Sequence, residues 1–455
     1  MGRTDSCVEV HRPTVAFSGW SVACTPRGYA WPRGAPIRQT GHVGYVLVLV
    51  YLVVLAGALI ALLPVQRPPL SGFAFSIGFP AGELAGQLLA ACVALMVSIA
   101  AVGWPGGATG VVSLACGVAA CLAYGWLLLT GLRSRSIVRA ALVHARGISV
   151  ALPDDGSRRW LRGWRTCLAI PLHGRGVRVH RDIAYDPDGL RAHLLDVIAP
   201  AHPVSGAPVM IYVHGGAWMF GSKKEQGLPM LYELASRGWV CVTVNYRLSP
   251  KATWPDHIVD VKRAIAWTKE HVASYGGSPD RFIAISGGSA GGHLAALAAL
   301  SPNDPEWQPG FEDADTSVDA CVSLYGVLEM TGDPELAGSQ GRALVSLLRH
   351  SVIKATLDRA RVVYESASPI HRITADAPAF LVLHGTKDSL VPVGVARAFV
   401  DAFAEASAAP ICYVELPGAQ HAFDVLCSPR CTATTLGIAA YLEALVGSRA
   451  AEPAA

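Results

Sequence analysis

Twenty-one consecutive apolar residues, Val43 to Leu63 (VGYVLVLVYLVVLAGALIALL), limit most severely what this chain can fold into. As an α-helix the run rises about 31 Å, enough to cross the hydrocarbon core of a bilayer, and Pro64 ends it. A secretory signal would have a shorter apolar core close to the N-terminus and a small-residue cleavage site. This run follows 42 polar, irregular residues and reads as an anchor. Leu84 to Val102 forms a second run, weakened by Gln87 and Ser98, and Gly110 to Leu132 a third, with Trp104-Pro105-Gly106-Gly107 as the tight turn between them. A hairpin buried in a water-soluble domain would be the competing reading, and the near absence of charge weighs against it. Three crossings put the two ends of the chain on opposite faces. Arg27, Arg33 and Arg38 precede the first run, while Arg67, Arg133, Arg135 and Arg139 lie on the other side. The positive-inside rule leans toward a cytoplasmic C-terminal part. Arg158, Arg159, Arg162 and Arg165 follow and read as charges that meet lipid headgroups.

Composition divides the chain in the same place. Of 455 residues, 52% are hydrophobic and 16% charged, against about a quarter charged in an ordinary soluble domain. The excess lies before residue 132. The organisation expected is a polar tail over 1–42, a membrane region with about three transmembrane helices over 43–132, a linker over 133–176 and a globular domain over 177–448. A net charge of +3, with no basic run interleaved with aromatics, makes no case for nucleic acid. The 11 cysteines include no Cys/His cluster with zinc spacing. Cys427 and Cys431 are the one close pair and read as unrelated thiols, with a disulfide the alternative in an oxidising compartment.

From Val177 onward short β-branched runs alternate with helical stretches. Strands are expected over 177–183, 192–197, 209–213, 240–244, 282–286, 320–324, 380–383 and 412–416. The later ones are continuously apolar, as buried parallel strands are. Strands alternating with helices predict an α/β, doubly wound, mostly parallel sheet.

Two loops after these strands carry residues suited to chemistry. Gly287-Gly288-Ser289-Ala290-Gly291-Gly292 lies between a strand and a helical run. In that context a serine between glycines sits on a strained turn that lifts its hydroxyl above the sheet and aims a helix N-terminus at a developing oxyanion. His214-Gly215-Gly216-Ala217-Trp218 follows the strand over 209–213. Its glycines free backbone N–H groups to point into a cleft, and the Ala290 N–H is the expected partner donor. His214 is expected to organise this loop by hydrogen bonds.

These two segments, HGGAW and GGSAGG, resemble the hormone-sensitive-lipase family of bacterial esterases and lipases, and Asn245-Tyr246-Arg247-Leu248-Ser249-Pro250, Trp254-Pro255-Asp256 and Asp260 fit the same family. The resemblance covers about residues 177 to 445. The front third lies outside it, and its polytopic N-terminus is similar to that of membrane-bound esterases of high-GC bacteria. Two positions depart from the commonest pattern: Ala217 stands fourth in the HGGG-type motif, and Gly288 stands before the serine where Asp is usual. Kynurenine-formamidase-like hydrolases also carry HGG-type loops, which keeps an amide or formamide substrate open.

The resemblance implies the α/β-hydrolase fold and the chain order Ser, acid, His. Asp388, in His384-Gly385-Thr386-Lys387-Asp388, matches the family's acid, and His421, in Pro417-Gly418-Ala419-Gln420-His421, its base. The expected site is Ser289, Asp388 and His421, with Gly215, Gly216, Ala217 and Ala290 around the oxyanion. The implied chemistry is ester hydrolysis through an acyl-enzyme on Ser289. No metal or organic cofactor is implied. The expected partners are a small-molecule or lipid ester and membrane lipid, in a multi-pass bacterial cell-membrane protein. The stretch 326–368 is where such folds hold a cap, and with Trp218 and Met219 it is expected to shape the acyl pocket. A non-catalytic hydrolase-fold binding module is the rival from another class, and such proteins usually lack the serine or the histidine.

Overall fold

A computed structural model describes residues 41–63, 65–151 and 176–451. Four helices come first: α1 (Gly41–Leu62), α2 (Leu70–Glu83), α3 (Ala85–Val102) and α4 (Gly107–Val143). Of these α1, α3 and α4 are long and apolar enough to cross a membrane. Their outward faces carry apolar side chains such as Val53, Val97, Val111 and Leu122. Inward they pack through small residues, with Ala58, Ala61, Ala81, Ala85 and Ala120 buried around Tyr124 and Leu127. Small side chains let helix backbones approach closely, the packing that works where no hydrophobic drive separates helix from solvent.

Two features here lie beyond the sequence reading. Helix α2 was not anticipated, and the third apolar helix does not stop at Leu132. The buried positions of α4 (Gly110, Ser113, Gly117, Ala120, Tyr124, Leu127, Gly131, Ser134, Val138, Leu142) keep three- and four-residue steps throughout, so one stripe carries both the apolar run and its polar continuation. Val138 and Leu142 pack on α11 (Pro429–Ala451), where a Cβ added to Gly437 would lie 2.3 Å from Val138 Cγ1. Residues 133–143, expected as linker, are therefore helix, packed on the C-terminal part through Val138 and Leu142. The rest of the expected linker, 152–175 with Arg158, Arg159, Arg162 and Arg165, and the tail before residue 41, lie outside the described residues.

The C-terminal part is built on eight strands: β1 (Val177–Ala184), β2 (Leu194–Pro200), β3 (Val209–Val213), β4 (Val240–Val244), β5 (Ile283–Gly288), β6 (Ala320–Leu324), β7 (Ala379–Gly385) and β8 (Ile411–Leu416). Their order is β1-β2-β4-β3-β5-β6-β7-β8. β2 pairs antiparallel with β1 and β4, and the remaining pairs are parallel. Between β3 and β8 run α5 (Leu228–Ser236), α6 (Asp256–His271), α7 (Ala290–Ala299), α8 (Pro334–Leu347), α9 (Arg361–Ser366) and α10 (Val393–Ala406).

Both faces of this sheet are covered, which is why its strands are apolar without alternation. Val209, Ile211 and Val213 point into one core with α6, α7 and α10. Met210 and Tyr212 point into the other, with α5, α11 and the end of α4. This is the α/β-hydrolase fold, preceded by an apolar helical region. The expected functional loops all leave the C-terminal ends of parallel strands, where open α/β sheets bind ligands.

Candidate active site

The turn after β5 is built so that one residue must be strained. Ser289 sits at φ 57°, ψ −121° as N-cap of α7, a conformation expected only where surrounding structure enforces it. Its N–H donates to the Leu324 carbonyl at 2.9 Å and its carbonyl accepts the N–H of His293 at 2.9 Å. Ala290 follows as the first helical residue, so its N–H has no acceptor within α7.

The loop after β3 lies against this turn. A Cβ on Gly215 would be 2.6 Å from the Gly288 carbonyl and 3.2 Å from Ser289 Cβ. Gly216, at φ 125°, would place a Cβ 1.9 Å from the Phe220 carbonyl, so only glycine fits. Ala217 and Trp218 continue at φ 51° and 60°. The Gly215 N–H is already engaged, donating to Gln226 Oε1 at 2.8 Å. Among the described residues no acceptor takes the N–H of Gly216 or Ala217. His214 does organise the loop: its Nδ1–H donates to the Gly215 carbonyl at 2.8 Å and its ring stacks on Tyr246 at 4.5 Å. Burial lowers its pKa. Trp218 is only 1% exposed and its indole N–H donates to His293 Nδ1 at 3.2 Å, so it anchors the loop to α7 and does not line an open pocket.

Asp388 and His421 come together from the loops after β7 and β8. His421 Nδ1–H donates to Asp388 Oδ2 at 2.7 Å. Asp388 Oδ1 accepts the backbone N–H groups of Leu390 and Val391, each at 2.8 Å. His384 Nε2 lies 3.3 Å from Asp388 Oδ2 and its N–H donates to the Val391 carbonyl at 2.8 Å. Burial works to raise the pKa of Asp388, but the facing His421 and the hydrogen bonds from both histidines outweigh it and hold the carboxyl well below the usual carboxylate range. Gln420 ties the two loops, its Oε1 accepting the N–H of Ser389 at 2.7 Å and that of His421 at 2.9 Å.

Several residues around this site gave no signal in the sequence. The ring of Tyr325, just past β6, lies 4.5 Å from the imidazole of His421, and its hydroxyl donates to Asp424 Oδ1. Burial pushes both groups up in pKa. A Cβ on Gly288 would be 2.7 Å from that hydroxyl. Where the family usually carries Asp before the serine, this chain therefore has a glycine with a tyrosine filling the space, and this tyrosine links the histidine loop to the serine turn. From the apolar region Phe75 of α2 meets the His421 ring edge-on at 5.8 Å. Cys427 and Cys431 are free thiols, and Cys431 is buried with its S–H donating to the Asp424 carbonyl.

The segment between β6 and β7 holds α8 and α9. Gln340 of α8 donates to the Ser389 carbonyl, which brings this insertion to the acid loop.

The BD-FAE family model matches residues 195–403. The chain is 50% identical over 275 residues to a protein named "Probable carboxylic ester hydrolase LipM" from Mycobacterium tuberculosis, covering 59% of this chain and just under two thirds, 63%, of that protein. It is 44% identical over 326 residues to "Esterase LipC" of the same organism, covering 70% of this chain and 78% of LipC. The crystal structure of Esterase B from Lactobacillus rhamnosus is similar in fold, with a TM-score of 0.51 at 20% identity over 70% of this chain and 97% of that one. The extent of the LipC match, together with the glycine-framed serine turn and the HGG loop, shows that this chain belongs to the hormone-sensitive-lipase-like family of bacterial esterases.

Proposed function

We propose that the protein is a membrane-anchored serine carboxylesterase. The observation that carries this reading is a strained Ser289 at the N-cap of α7, past β5, in the same sheet as a buried Asp388–His421 couple past β7 and β8. Ser289 attacks an ester carbonyl while His421 takes its proton. Asp388 holds the imidazole with its proton on Nδ1 and stabilises the imidazolium that forms. The N–H groups of Gly216, Ala217 and Ala290 receive the oxyanion, Gly215 being committed to Gln226. His421 then protonates the departing alcohol, and water activated by the same nitrogen releases the acid. The names of LipM and LipC, both ester hydrolases, support the reaction class.

Helices α1, α3 and α4 serve as the anchor. Their lengths and their outward-facing apolar side chains suit lipid and would be costly in water.

The test is a fluorophosphonate probe on the full chain and on Ser289→Ala, with both assayed against short and long acyl esters and the matching amides. Labelling and ester turnover in the wild type alone is the expected result. Turnover retained by a clean Ser289→Ala preparation would refute the nucleophile assignment, and turnover of amides in preference to esters would replace the esterase reading with an amidase.

A further inference from the structure

Helix α2 joins the apolar region to the site, and its three faces do different things. Ser71, Ala74, Gly78 and Ala81, in steps of three and four, are buried. A Cβ on Gly78 would lie 3.5 Å from both Gln420 Nε2 and the Ile60 carbonyl, so this face is wedged between the histidine loop and α1. On one flank Phe75 meets His421, and Phe79, a turn further on, stacks on Phe75 with ring centroids 5.7 Å apart. On the other flank Phe73 is 60% exposed.

The helix is tied down at both ends. Before it, Gln66 Nε2–H donates to the Asp388 carbonyl at 3.1 Å, and Ser389 Oγ–H donates to the Ser71 carbonyl at 3.3 Å. At its far end Glu83 is buried in an ion pair with Arg430 and accepts Ser428 Oγ–H at 2.6 Å. Glu83 is its only charged side chain.

The level of the bilayer surface can be read on α4. Trp126 is half exposed and the Arg133 guanidinium lies 5.8 Å over its ring, an aromatic and a cation at the position typical of headgroups. At this height Gly418 of the histidine loop abuts Thr130 of α4, and Gly86, just past α2, abuts Leu128. The site therefore stands at the membrane surface, and α2 runs along that level, from Gln66 and Ser71 beside the acid loop to Glu83 beside Arg430, with Gly78 packed on α1.

We propose that the Phe75–Phe79 flank of α2 is the track along which the apolar chain of a bilayer-resident ester reaches Ser289, so that substrate enters from lipid and not from water. This rests on the esterase reading above. It names the substrate class as an ester whose long acyl or alkyl chain is held in the membrane.

The test uses the full chain in phosphatidylcholine nanodiscs, comparing kcat/KM on p-nitrophenyl palmitate dissolved in the bilayer with kcat/KM on p-nitrophenyl acetate in water. Phe79→Gln is expected to lower the palmitate-to-acetate ratio by about tenfold or more, the scale on which apolar pockets discriminate chain groups. Phe73→Gln, on the opposite flank, is expected to leave the ratio within about twofold. An unchanged ratio in Phe79→Gln, or an equal fall in Phe73→Gln, overturns the track. Should Phe79→Gln fail to take the fluorophosphonate label, Phe79→Trp replaces it. Filling the track must then move the chain-length optimum to shorter acyl groups, and an unmoved optimum overturns the proposal. A labelled wild type that cleaves acetate but not palmitate refutes the track alone, whereas an unlabelled wild type that cleaves neither refutes the esterase reading beneath it.

Discussion

Replacing Asp388 by Asn tests the proposed mechanism through the direction of one proton. The carboxylate has two differently occupied poles. Oδ1 accepts two backbone N–H groups at 2.8 Å, from Leu390 and Val391, whereas Oδ2 accepts Nδ1–H of His421 and only a longer contact, 3.3 Å, from His384 Nε2, whose N–H is also drawn to the Val391 carbonyl. An asparagine must keep its oxygen at the first pole, because the reverse orientation would set its NH2 against two fixed donors. The NH2 then faces His421, whose Nδ1 becomes an acceptor, so the imidazole proton moves to Nε2. In that tautomer the ring cannot take the Ser289 proton. The substitution is nearly isosteric and the fold should survive. On the serine-protease precedent the expected loss in kcat is roughly 10⁴-fold, about 5.4 kcal/mol of transition-state stabilisation. Ester turnover and fluorophosphonate labelling rates in nanodiscs would measure it, with a thermal unfolding midpoint to establish that the variant is folded. A folded Asp388→Asn protein with kcat within about tenfold of wild type would refute both the tautomer argument and the assignment of the acid.

Gly288→Asp, which restores the residue usual in the family, should lower activity here because the new Cβ would lie 2.7 Å from the Tyr325 hydroxyl and displace the ring that packs on His421; wild-type kcat/KM in that variant would show that the tyrosine is not holding the site. Glu83→Ala should destabilise the chain by about 3–5 kcal/mol, since it leaves Arg430, 1% exposed, as an unpaired buried charge; an unchanged thermal midpoint would contradict this. Stability should also fall as pH is lowered. Burial depresses both His257 and His293 from 6.5 to about 4, so between those values the unfolded chain binds protons that the folded chain refuses, and stability drops as pH falls through the window and levels off below it. At pH 5 each histidine accounts for about 2 kcal/mol. Comparing unfolding midpoints at pH 7 and 5 should show a smaller pH-dependent loss in His293→Gln than in the wild type, and an equal loss would exclude the mechanism.

Much of this architecture was legible in the chain itself because it rests on local physics. Helices α1, α3 and α4 follow from apolar runs too long for a core, and the strands follow from short β-branched runs that are apolar on both faces because both faces are covered. Ser289 could be named because a strained turn tolerates few residue types at its neighbours, and that requirement is written in consecutive positions. Asp388 and His421 could be named only because family resemblance and the order of the strands supplied what their neighbours do not.

Tertiary structure alone decided the rest. The Gly215 N–H is taken by Gln226, eleven residues away, and no motif records that engagement. Tyr325 fills the space vacated at Gly288 from a different strand end, and Gln420 joins two loops 31 residues apart. Helix α2 carries no long apolar run and no capping side chain. Its place over His421 depends on Gln66 and Glu83 meeting partners more than 300 residues later. Sequence periodicity reports which face of an element is apolar. Only the packed chain determines what that face meets, and here one flank of α2 meets the histidine of the proposed triad.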